Sequence, residues 1–157
     1  MDAESEKILS HLLQTSRVGS LGTSHNGAPF VSMASVAHEA DGSAFYIHVS
    51  HLAQHTRDME ADPRVSLLFA QADDGRADPQ TLARVTIQCH AEKVERADES
   101  YAPIQKLYVT QFPASAQMFS FGDFNLWTIV PEKVRFVAGF AKAFNLVPND
   151  LKRAITG

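Results

Sequence analysis

The spacing of hydrophobic and polar positions divides the chain into short strands and a few helices. Residues 4–15, ESEKILSHLLQT, place their apolar side chains on one stripe, which predicts a short amphipathic helix. Turn signals at 25–27 and 41–42 then separate three stretches in which apolar and polar positions alternate. The first third of the chain is therefore predicted to be one helix followed by three antiparallel strands.

The middle of the chain predicts a helix between strands. HLAQHTRDMEA, at 51–61, has a helical pattern, and Asp62-Pro63 ends it before the apolar strand RVSLLFA. A polar loop at 73–80 follows, and residues 82–97 alternate long enough for a strand that bends. This part adds two strands to the predicted sheet.

The last third predicts one more helix and two strands. YAPIQKLYVTQF, at 101–112, has helical spacing, and the strands 125–132 and 133–146 are expected to meet at a tight turn at Pro131-Glu132. About six strands, joined mostly by hairpins and covered by helices, predict a mainly β fold. The expected architecture is a small closed or nearly closed antiparallel β-barrel with flanking helices.

Composition and charge exclude several classes of protein. The length of 157 residues suits a single domain spanning 1–157, and 18 acidic against 14 basic residues give a formal charge of −4, which argues against nucleic-acid binding. The chain has one cysteine, Cys89, so it has no internal disulfide, and a reducing compartment is expected. No apolar run reaches the length of a membrane span, and the polar start does not resemble a signal peptide. We expect a cytoplasmic protein that does not enter a membrane.

Three histidines in IHVSHLAQHTRD, residues 47–58, raise the possibility of a metal site. If Ser50 capped the helix, His51 and His55 would lie one turn apart on one face, which is a spacing that metal ligands use. A zinc protease pattern would have glutamate after the first histidine, where this chain has Leu52. We do not predict a metal, and histidines facing solvent remain an alternative.

The same stretch can instead hold an anion. A helix that begins near Ala53 or Gln54 would place His55, Thr56 and Arg57 in its first turn, where free backbone N–H groups favour negative charge. Arg84 on the long strand could add a second cation. An ordinary strand with one polar face explains Arg84 equally well. The position at which the helix begins separates the metal and anion hypotheses.

Nucleophilic catalysis has less support. Ser32, Ser35 and Ser50 lie in a region that also carries histidines, but the chain has no GxSxG turn. Cys89 lies in the middle of a strand, where a buried and inert thiol is the common case. Neither glycine-rich nucleotide loop is present. The sequence therefore identifies no particular catalytic residue, and the catalytic residues stay unknown.

Four segments resemble a known family. They are RVGSLGTSHNGAPFVS, DGSAFYIHVSHLAQHTRDMEADPRVSLLF, DPQTLARVTI and DFNLWTIVPEKVRFVAGFAKA, in this order along nearly the whole chain. The most specific is the second, in which S-x-L-A-x-H-T-R-D is followed by P-x-V-S. The chain resembles the FMN-binding split barrels related to pyridoxamine 5'-phosphate oxidase, and most closely their short haem-utilisation (HugZ-like) branch.

The resemblance implies a six-stranded antiparallel split β-barrel that forms a homodimer with two FMN molecules at the subunit interface. One strand would lie along the flavin ring, the next would follow the ribityl chain, and the helix start would hold the phosphate. Trp127 would be contributed from the facing subunit, although a core role for it is the alternative. The cofactor-binding residues so implied are Val31, Ser32, Met33, His48, Val49, Ser50, His55, Thr56, Arg57, Arg84 and Trp127.

The sequence departs from the family pattern at several positions. It lacks the arginine-histidine motif after the last glycine, so pyridoxamine phosphate is not the expected substrate. No histidine follows His90, which argues against haem ligation by a C-terminal histidine. Asp58 replaces the usual asparagine and would bring negative charge near the phosphate, unless it points away. Asp123 matches an aspartate of the haem-utilisation branch, and it also suits a turn.

These observations leave three hypotheses. The first is an FMN-dependent oxidoreductase that transfers hydride or electrons to a small-molecule substrate, to an acceptor or to oxygen. The second is a haem-binding or haem-degrading protein that uses His38 or His90 as a non-standard ligand. The third is a non-catalytic FMN-binding module. The flavin enzyme is the main hypothesis at this stage, with its substrate unknown.

Overall fold

The computed structural model describes residues 1–156. It contains four α-helices, eight β-strands and two 3₁₀ segments over those residues. In chain order the helices and strands are α1 (Ala3–Thr15), β1 (Val18–His25), β2 (Ala28–Ser35), β3 (Ala37–His38), β4 (Phe45–Ser50), α2 (Gln54–Ala61), β5 (Arg64–Ala70), β6 (Arg84–Val94), α3 (Tyr101–Gln111), β7 (Phe124–Gly139), β8 (Lys142–Leu146) and α4 (Pro148–Thr156). The 3₁₀ segments are Pro79–Thr81 and Pro113–Ser120.

All eight strands belong to one antiparallel sheet. Its order is β2-β1-β5-β6-β7-β4-β3, and β8 pairs with β7 outside this path. Five of the predicted strands correspond to β1, β2, β4, β5 and β6, and the two predicted at 125–132 and 133–146 cover β7 and its hairpin partner β8. The two-residue β3 is additional. The expected mainly β architecture with flanking helices is confirmed, with eight strands instead of six.

The sheet curls but does not close. β2 and β4 are not hydrogen-bonded neighbours, yet β3 follows β2 after the single residue Val36 and pairs with β4. The two ends of the sheet therefore approach each other at this bend, and a gap without ladder hydrogen bonds separates β2 from β4. We call this gap the split.

The predicted turn at Pro131-Glu132 is wrong. β7 runs unbroken from Phe124 to Gly139, and Pro131 pairs with Cys89 of β6 at a register shift in which Glu132 is the extra residue. Proline cannot donate to a ladder, but a β-bulge tolerates it. The true reversal lies at the end of β7, where Gly139 and Ala141 have positive φ values of 156° and 58°.

The main core fills the inside of the curled sheet. Alternate residues of the central strands point inward, as in β6, where Val85, Ile87 and Cys89 are each at most 2% exposed. Leu9 and Leu13 of α1 close one end of this core with no exposed area or nearly none. A second, smaller cluster forms around Tyr108 and Phe119 beside the split. The helical segments therefore cover the sheet where its strands are not joined.

Candidate functional site

Helix α2 begins at Gln54 with Ala53 as its N-cap, which decides between the metal and anion hypotheses. His51 lies before the helix, so His51 and His55 do not share a helical face. Its backbone N–H instead donates 2.7 Å to the carbonyl of Asp123. Over residues 1–156, no three His, Cys, Asp or Glu side chains are grouped so that they could hold a metal ion.

The first turn of α2 has the start that the anion hypothesis requires. The N–H groups of Gln54 and His55 have no earlier carbonyl in the helix to bond, so they remain for an anion or water. Arg57 is exposed, and its guanidinium donates 3.0 Å to the Oε1 of Gln54. The turn therefore offers backbone donors and one cation held by a neighbouring side chain.

Thr56 does not contribute its hydroxyl to this surface. Its side chain has no exposed area, and its Oγ1 donates 2.7 Å to the carbonyl of Ser50. Ser50 Oγ in turn donates 3.3 Å to Asp123 and accepts 3.2 Å from the N–H of Leu52. These bonds fix the passage from β4 into α2, so Thr56 and Ser50 shape the turn through their local hydrogen bonds.

Asp58 points into the protein, away from the exposed face of α2. It is 2% exposed and accepts hydrogen bonds from Thr23 at 2.8 Å, Gln54 at 2.7 Å and His25 Nδ1 at 2.8 Å. Burial pushes the pKa of the Asp58 carboxyl up, but the bonds from Gln54, Thr23 and His25 outweigh it and hold the pKa below its ordinary value. Since Gln54 also contacts Arg57, Asp58 orients the cation indirectly through Gln54.

His55 lies between α2 and β2. Its Nδ1 is 3.2 Å from the Oγ of Ser32, and its Nε2 is buried without a hydrogen-bond partner. Burial lowers the pKa of this imidazole, and the negative charge of Asp58 offsets only part of the effect. His55 is therefore a neutral side chain that joins the two elements at neutral pH.

The edge strand β2 presents apolar side chains to its surroundings. Val31 is 66% exposed and Met33 is 74% exposed. Across the strand pair, Val31 faces Gly22, which has no side chain to cover it. β2 thus forms one wall of the split and leaves an apolar surface open.

A groove of about 330 Å³ occupies the split. We call it the split groove. It is bounded by β2, by β4, by α3 and by the 3₁₀ segment Pro113–Ser120. Its lining residues are Met33, Ala34, Ser35, His48, Val49, Tyr108, Phe112, Ala114, Ser115 and Met118. Three of the predicted site residues, Met33, His48 and Val49, therefore line one concave surface.

Tyr108 joins the two sides of the split. Its hydroxyl donates 3.3 Å to the carbonyl of Ser35 on β2, and its ring lies edge-on to the imidazole of His48 on β4, with 6.0 Å between ring centroids. The side chain is 3% exposed, and burial raises the pKa of its phenol. Tyr108 thus spans two strands that lack a direct ladder, through its hydroxyl on β2 and its ring against β4.

His48 is held in an aromatic environment beside the groove. It is 8% exposed and stacks on Phe119 with 3.7 Å between ring centroids and 6° between ring planes. Burial, with a smaller effect of Arg96, lowers the pKa of the imidazole to about 4. Its Nε2 is buried and lacks a hydrogen-bond partner among the described residues.

Two predicted residues lie apart from this region. Arg84 begins β6 and donates to the carbonyls of Gln80 at 2.8 Å and Leu82 at 3.1 Å, and it pairs with Ala70 at the end of β5 that lies away from α2. Trp127 is 3% exposed in the main core, where the core alternative places it. Its implied contact with a cofactor stays a prediction.

Two histidines that the sequence offered as haem ligands are also engaged elsewhere. His90 contacts Glu92 through Nε2 at 2.7 Å and Glu132 through Nδ1 at 2.9 Å. The bond to Glu92 is the largest of the effects that raise the pKa of His90, which favours a protonated ring without a free lone pair. His38 Nδ1 lies 2.8 Å from the carbonyl of Glu39. Neither residue lines the split groove.

Sequence reasoning missed the covering side of the groove. Tyr108, Phe112 and Phe119 come from a region predicted only as a helix and a connection. The density of aromatic residues between 108 and 121 was the available signal, but aromatic residues in a helix are usually core. Cys89, by contrast, is as predicted: it is 2% exposed, and burial raises the pKa of its thiol to about 12.

Two larger surface cavities contain few of the predicted site residues. One of about 470 Å³ lies on the outer sheet surface beside Gly22 and Arg64, and one of about 760 Å³ lies between α1 and the end of β5. Of the predicted site residues, only Val31 lines the first cavity, and none lines the second. In the described residues 1–156, no helix is long and apolar enough to cross a membrane.

Two proteins of known name are similar in sequence to most of this chain. The heme oxygenase HOZ of Arabidopsis thaliana, a chloroplastic protein, is 37% identical over 120 residues, which cover 76% of this chain and 35% of that protein. The heme oxygenase HutZ of Vibrio cholerae is 29% identical over 126 residues, which cover 80% of this chain and 70% of that protein. The chain thus spans about a third of the first relative and most of the second.

A solved structure shows the same fold. The heme binding protein from Mycobacterium smegmatis superposes with a TM-score of 0.82 at 25% sequence identity, covering 98% of this chain and 61% of that one. The family model described as pyridoxamine 5'-phosphate oxidase matches residues 5–138, which include most of α1 and all of the strands except β8 and the last residue of β7. The chain therefore belongs to the pyridoxamine 5'-phosphate oxidase family.

Proposed function

We propose that this chain binds haem and serves in haem utilisation, with haem as its substrate or cargo. The apolar split groove carries the proposal. It combines exposed thioether side chains, Met33 and Met118, with the aromatic side chains Tyr108 and Phe112. Apolar pockets with a few polar groups are the usual binding sites of flat, largely apolar ligands. Relatives named as heme oxygenases support the same substrate class.

The groove suits haem through several features of this chain. Met33 is 74% exposed and Met118 is 43% exposed, so both thioethers can reach a macrocycle without unfolding the core. His48 lies between these walls with a neutral ring. The residues that would hold haem are therefore Met33, His48, Tyr108, Phe112 and Met118, while β4 and α3 supply the rigid support. Haem supplies the redox-active iron when it is bound.

Titration with ferric haem tests this proposal. The purified protein is expected to bind about one haem per chain, with a defined Soret band and a higher melting temperature, because a ligand that binds only the folded state stabilises it. Iron-free protoporphyrin and serum albumin serve as a ligand control and a non-specific carrier control. A melting temperature that is unchanged at saturating haem, with the spectrum of free haem, would contradict the proposal.

Degradation is measured separately from binding. The haem complex is incubated with oxygen and ascorbate as electron donor, and loss of the Soret band is followed together with ferrous iron captured by a chelator. Catalase is added to remove free hydrogen peroxide, which destroys haem without an enzyme. Loss of the band with release of iron identifies haem as a substrate, whereas a stable complex identifies it as cargo.

FMN binding is the second candidate function, and the start of α2 favours it. A helix that begins at Gln54 aims free backbone N–H groups and the exposed Arg57 outward, which suits a phosphate group. FMN is expected to raise the melting temperature more than riboflavin, which lacks the phosphate, and Arg57→Ala is expected to remove that difference. Equal effects of FMN and riboflavin on the unaltered protein would exclude a phosphate grip. Flavin oxidoreductase activity would follow only from turnover with a donor such as NADPH.

We further propose that a single domain over residues 1–157 acts as a homodimer in the cytoplasm. The exposed apolar surface of β2 supports the homodimer, since single domains rarely leave such a strand uncovered. The lone, buried Cys89 suits a reducing compartment.

A further inference from the structure

His48 carries a buried nitrogen that the fold does not satisfy. Its Nε2 has no hydrogen-bond partner among residues 1–156, although the residue is only 8% exposed. Leaving a buried polar group unpaired destabilises a fold, so such a group in a native structure calls for an explanation. Its place on the wall of the split groove supplies one, because a ligand in the groove could complete its bonding.

The electrostatic surroundings keep this imidazole ready to bind a metal. Burial, assisted by the positive charge of Arg96, lowers the pKa of His48 to about 4. The ring is therefore neutral at pH 7 and retains a lone pair, which is the form that coordinates transition metals. The described structure holds no acidic partner against His48 that would protonate it, unlike His90 with its two glutamates.

Phe119 occupies the face of the imidazole. The two rings stack at 3.7 Å with a 6° angle between planes, and Tyr108 and Phe124 surround the pair at 6.0 Å and 5.4 Å from His48. The lone pair of Nε2 lies in the plane of the imidazole, so Phe119 does not occupy the position of a metal, but the aromatic rings around His48 keep Nε2 buried. Phe119 therefore acts as a plug that has to shift before a ligand can reach Nε2.

The segment that carries Phe119 is suited to displacement. Pro113–Ser120 is a 3₁₀ helix of eight residues, whereas 3₁₀ runs longer than three or four residues are uncommon because their hydrogen-bond geometry is poorer. Most of the segment is exposed, and Phe119 is its one buried side chain. A shift of this segment would uncover His48 while the strands and α3 remain in place.

We propose that His48 is the side chain that ligates the haem iron in this protein, and that Phe119 leaves the imidazole when haem enters the split groove. The inference rests on the proposed haem binding and names the ligand within it. It also replaces His38 and His90, which the sequence suggested, because His90 has both nitrogens engaged and neither residue lines the groove.

The test compares ferric haem binding by the unaltered protein, His48→Phe and His48→Gly. Phenylalanine keeps an aromatic ring in the cluster but cannot ligate, so it separates ligation from folding; glycine leaves a space that free imidazole can fill. We expect both variants to lose the imidazole-ligated Soret and electron paramagnetic resonance spectra and to bind haem about tenfold or more weakly. Added imidazole is expected to restore the spectra in His48→Gly.

Three controls make the result specific. His51→Ala removes an exposed histidine three residues along the chain, and His55→Ala removes the other histidine with a buried free nitrogen. Both are expected to keep the spectra of the unaltered protein. Iron-free protoporphyrin, which offers no metal to ligate, is expected to bind the unaltered protein and His48→Phe with similar affinity.

The role of Phe119 is tested by Phe119→Ala. Removing the plug is expected to speed haem association severalfold in stopped-flow mixing and to leave the imidazole-ligated spectrum unchanged. An association rate equal to or slower than that of the unaltered protein would show that Phe119 does not hinder haem binding.

The outcomes separate the two levels of the proposal. If the unaltered protein does not bind haem, the proposed function fails. If it binds haem and His48→Phe keeps the same spectra and affinity, haem binding stands and the assignment of His48 is overturned. Loss of the spectra in His55→Ala with retention in His48→Phe would transfer the ligand to His55.

Discussion

Thr23 donates a hydrogen bond of 2.8 Å to the carboxylate of Asp58, and both side chains are buried at the contact between β1 and α2. The residues are 35 positions apart in the chain, so this bond fixes the helix against the sheet. Through Gln54, the same carboxylate also positions Arg57 at the surface. Asp58 is therefore a structural anchor beneath the candidate anion site.

Replacing Asp58 is expected to destabilise the fold. Asp58→Ala leaves the Thr23 hydroxyl and the Gln54 amide without their acceptor, and should lower the free energy of unfolding by about 2–3 kcal/mol. Asp58→Asn keeps an acceptor oxygen and should lose less. Urea unfolding monitored by circular dichroism measures both. Glu60→Ala, on the exposed side of the same helix, is the matched control and should change stability by less than about 0.5 kcal/mol. If Asp58→Ala loses no more stability than Glu60→Ala, Asp58 does not anchor the helix.

Acidification is expected to destabilise the protein through His48. The pKa of His48 is lowered from 6.5 to about 4, so between these values the unfolded chain takes up a proton that the folded protein does not. Stability from this group is therefore complete above pH 6.5 and falls as the pH drops toward 4. One proton corresponds to a slope of up to about 1.4 kcal/mol per pH unit.

His48→Phe should flatten this slope, measured by urea unfolding at a series of pH values between 4 and 7. His55 also has a pKa lowered chiefly by burial, so part of the slope should remain. His51→Ala is the control and should keep the full slope. A profile for His48→Phe that is parallel to the original would mean that His48 is not buried as described.

Tyr108→Phe is expected to weaken the link across the split. The change removes only the hydroxyl, leaving the carbonyl of Ser35 without this partner. The expected loss is about 1–2 kcal/mol in the free energy of unfolding. Faster hydrogen exchange should be confined to β2, β4 and α3.

Tyr101→Phe, at the half-buried start of the same helix, is the comparison variant. It should leave both stability and exchange nearly unchanged. If the two variants behave alike, the hydroxyl of Tyr108 does not hold the strands together.

The exposed apolar side of β2 is expected to form the homodimer contact. Val31→Glu places a charge in the middle of this surface and should convert a dimer to a monomer, because an unpaired charge is costly to bury in an interface. Light scattering coupled to size-exclusion chromatography gives the mass of each form. Phe140→Glu alters a more exposed apolar residue, 84% exposed beyond the end of β7, and should leave the mass unchanged. If the unaltered protein is a monomer, the proposed homodimer contact is wrong.

The local pattern was sufficient for most of the secondary structure. The strand alternation and the turns at 25–27 and 41–42 depend on neighbouring residues, and Asn26, Gly27 and Gly42 have the positive φ values that such turns require. The turn predicted at Pro131-Glu132 failed, since proline signals a break from sequence alone. Whether proline breaks a strand or lies in a bulge depends on the partner strand, here β6 at Cys89.

The candidate site divides in the same way. The sequence by itself determined the motif from Ser50 to Asp58 and the presence of a helix within it, because a strand end and a helical run are local features. It left the first residue of α2 open, and the structure places it at Gln54. Only the tertiary structure decided that Asp58 points inward, that Trp127 lies in the core, and that the groove beside His48 is covered by Tyr108 and Phe119. These depend on contacts between residues far apart in the chain, such as Ser35 with Tyr108. A one-dimensional pattern states which residues are apolar, but the packing of the helices over the split decides which of them surround an unpaired nitrogen.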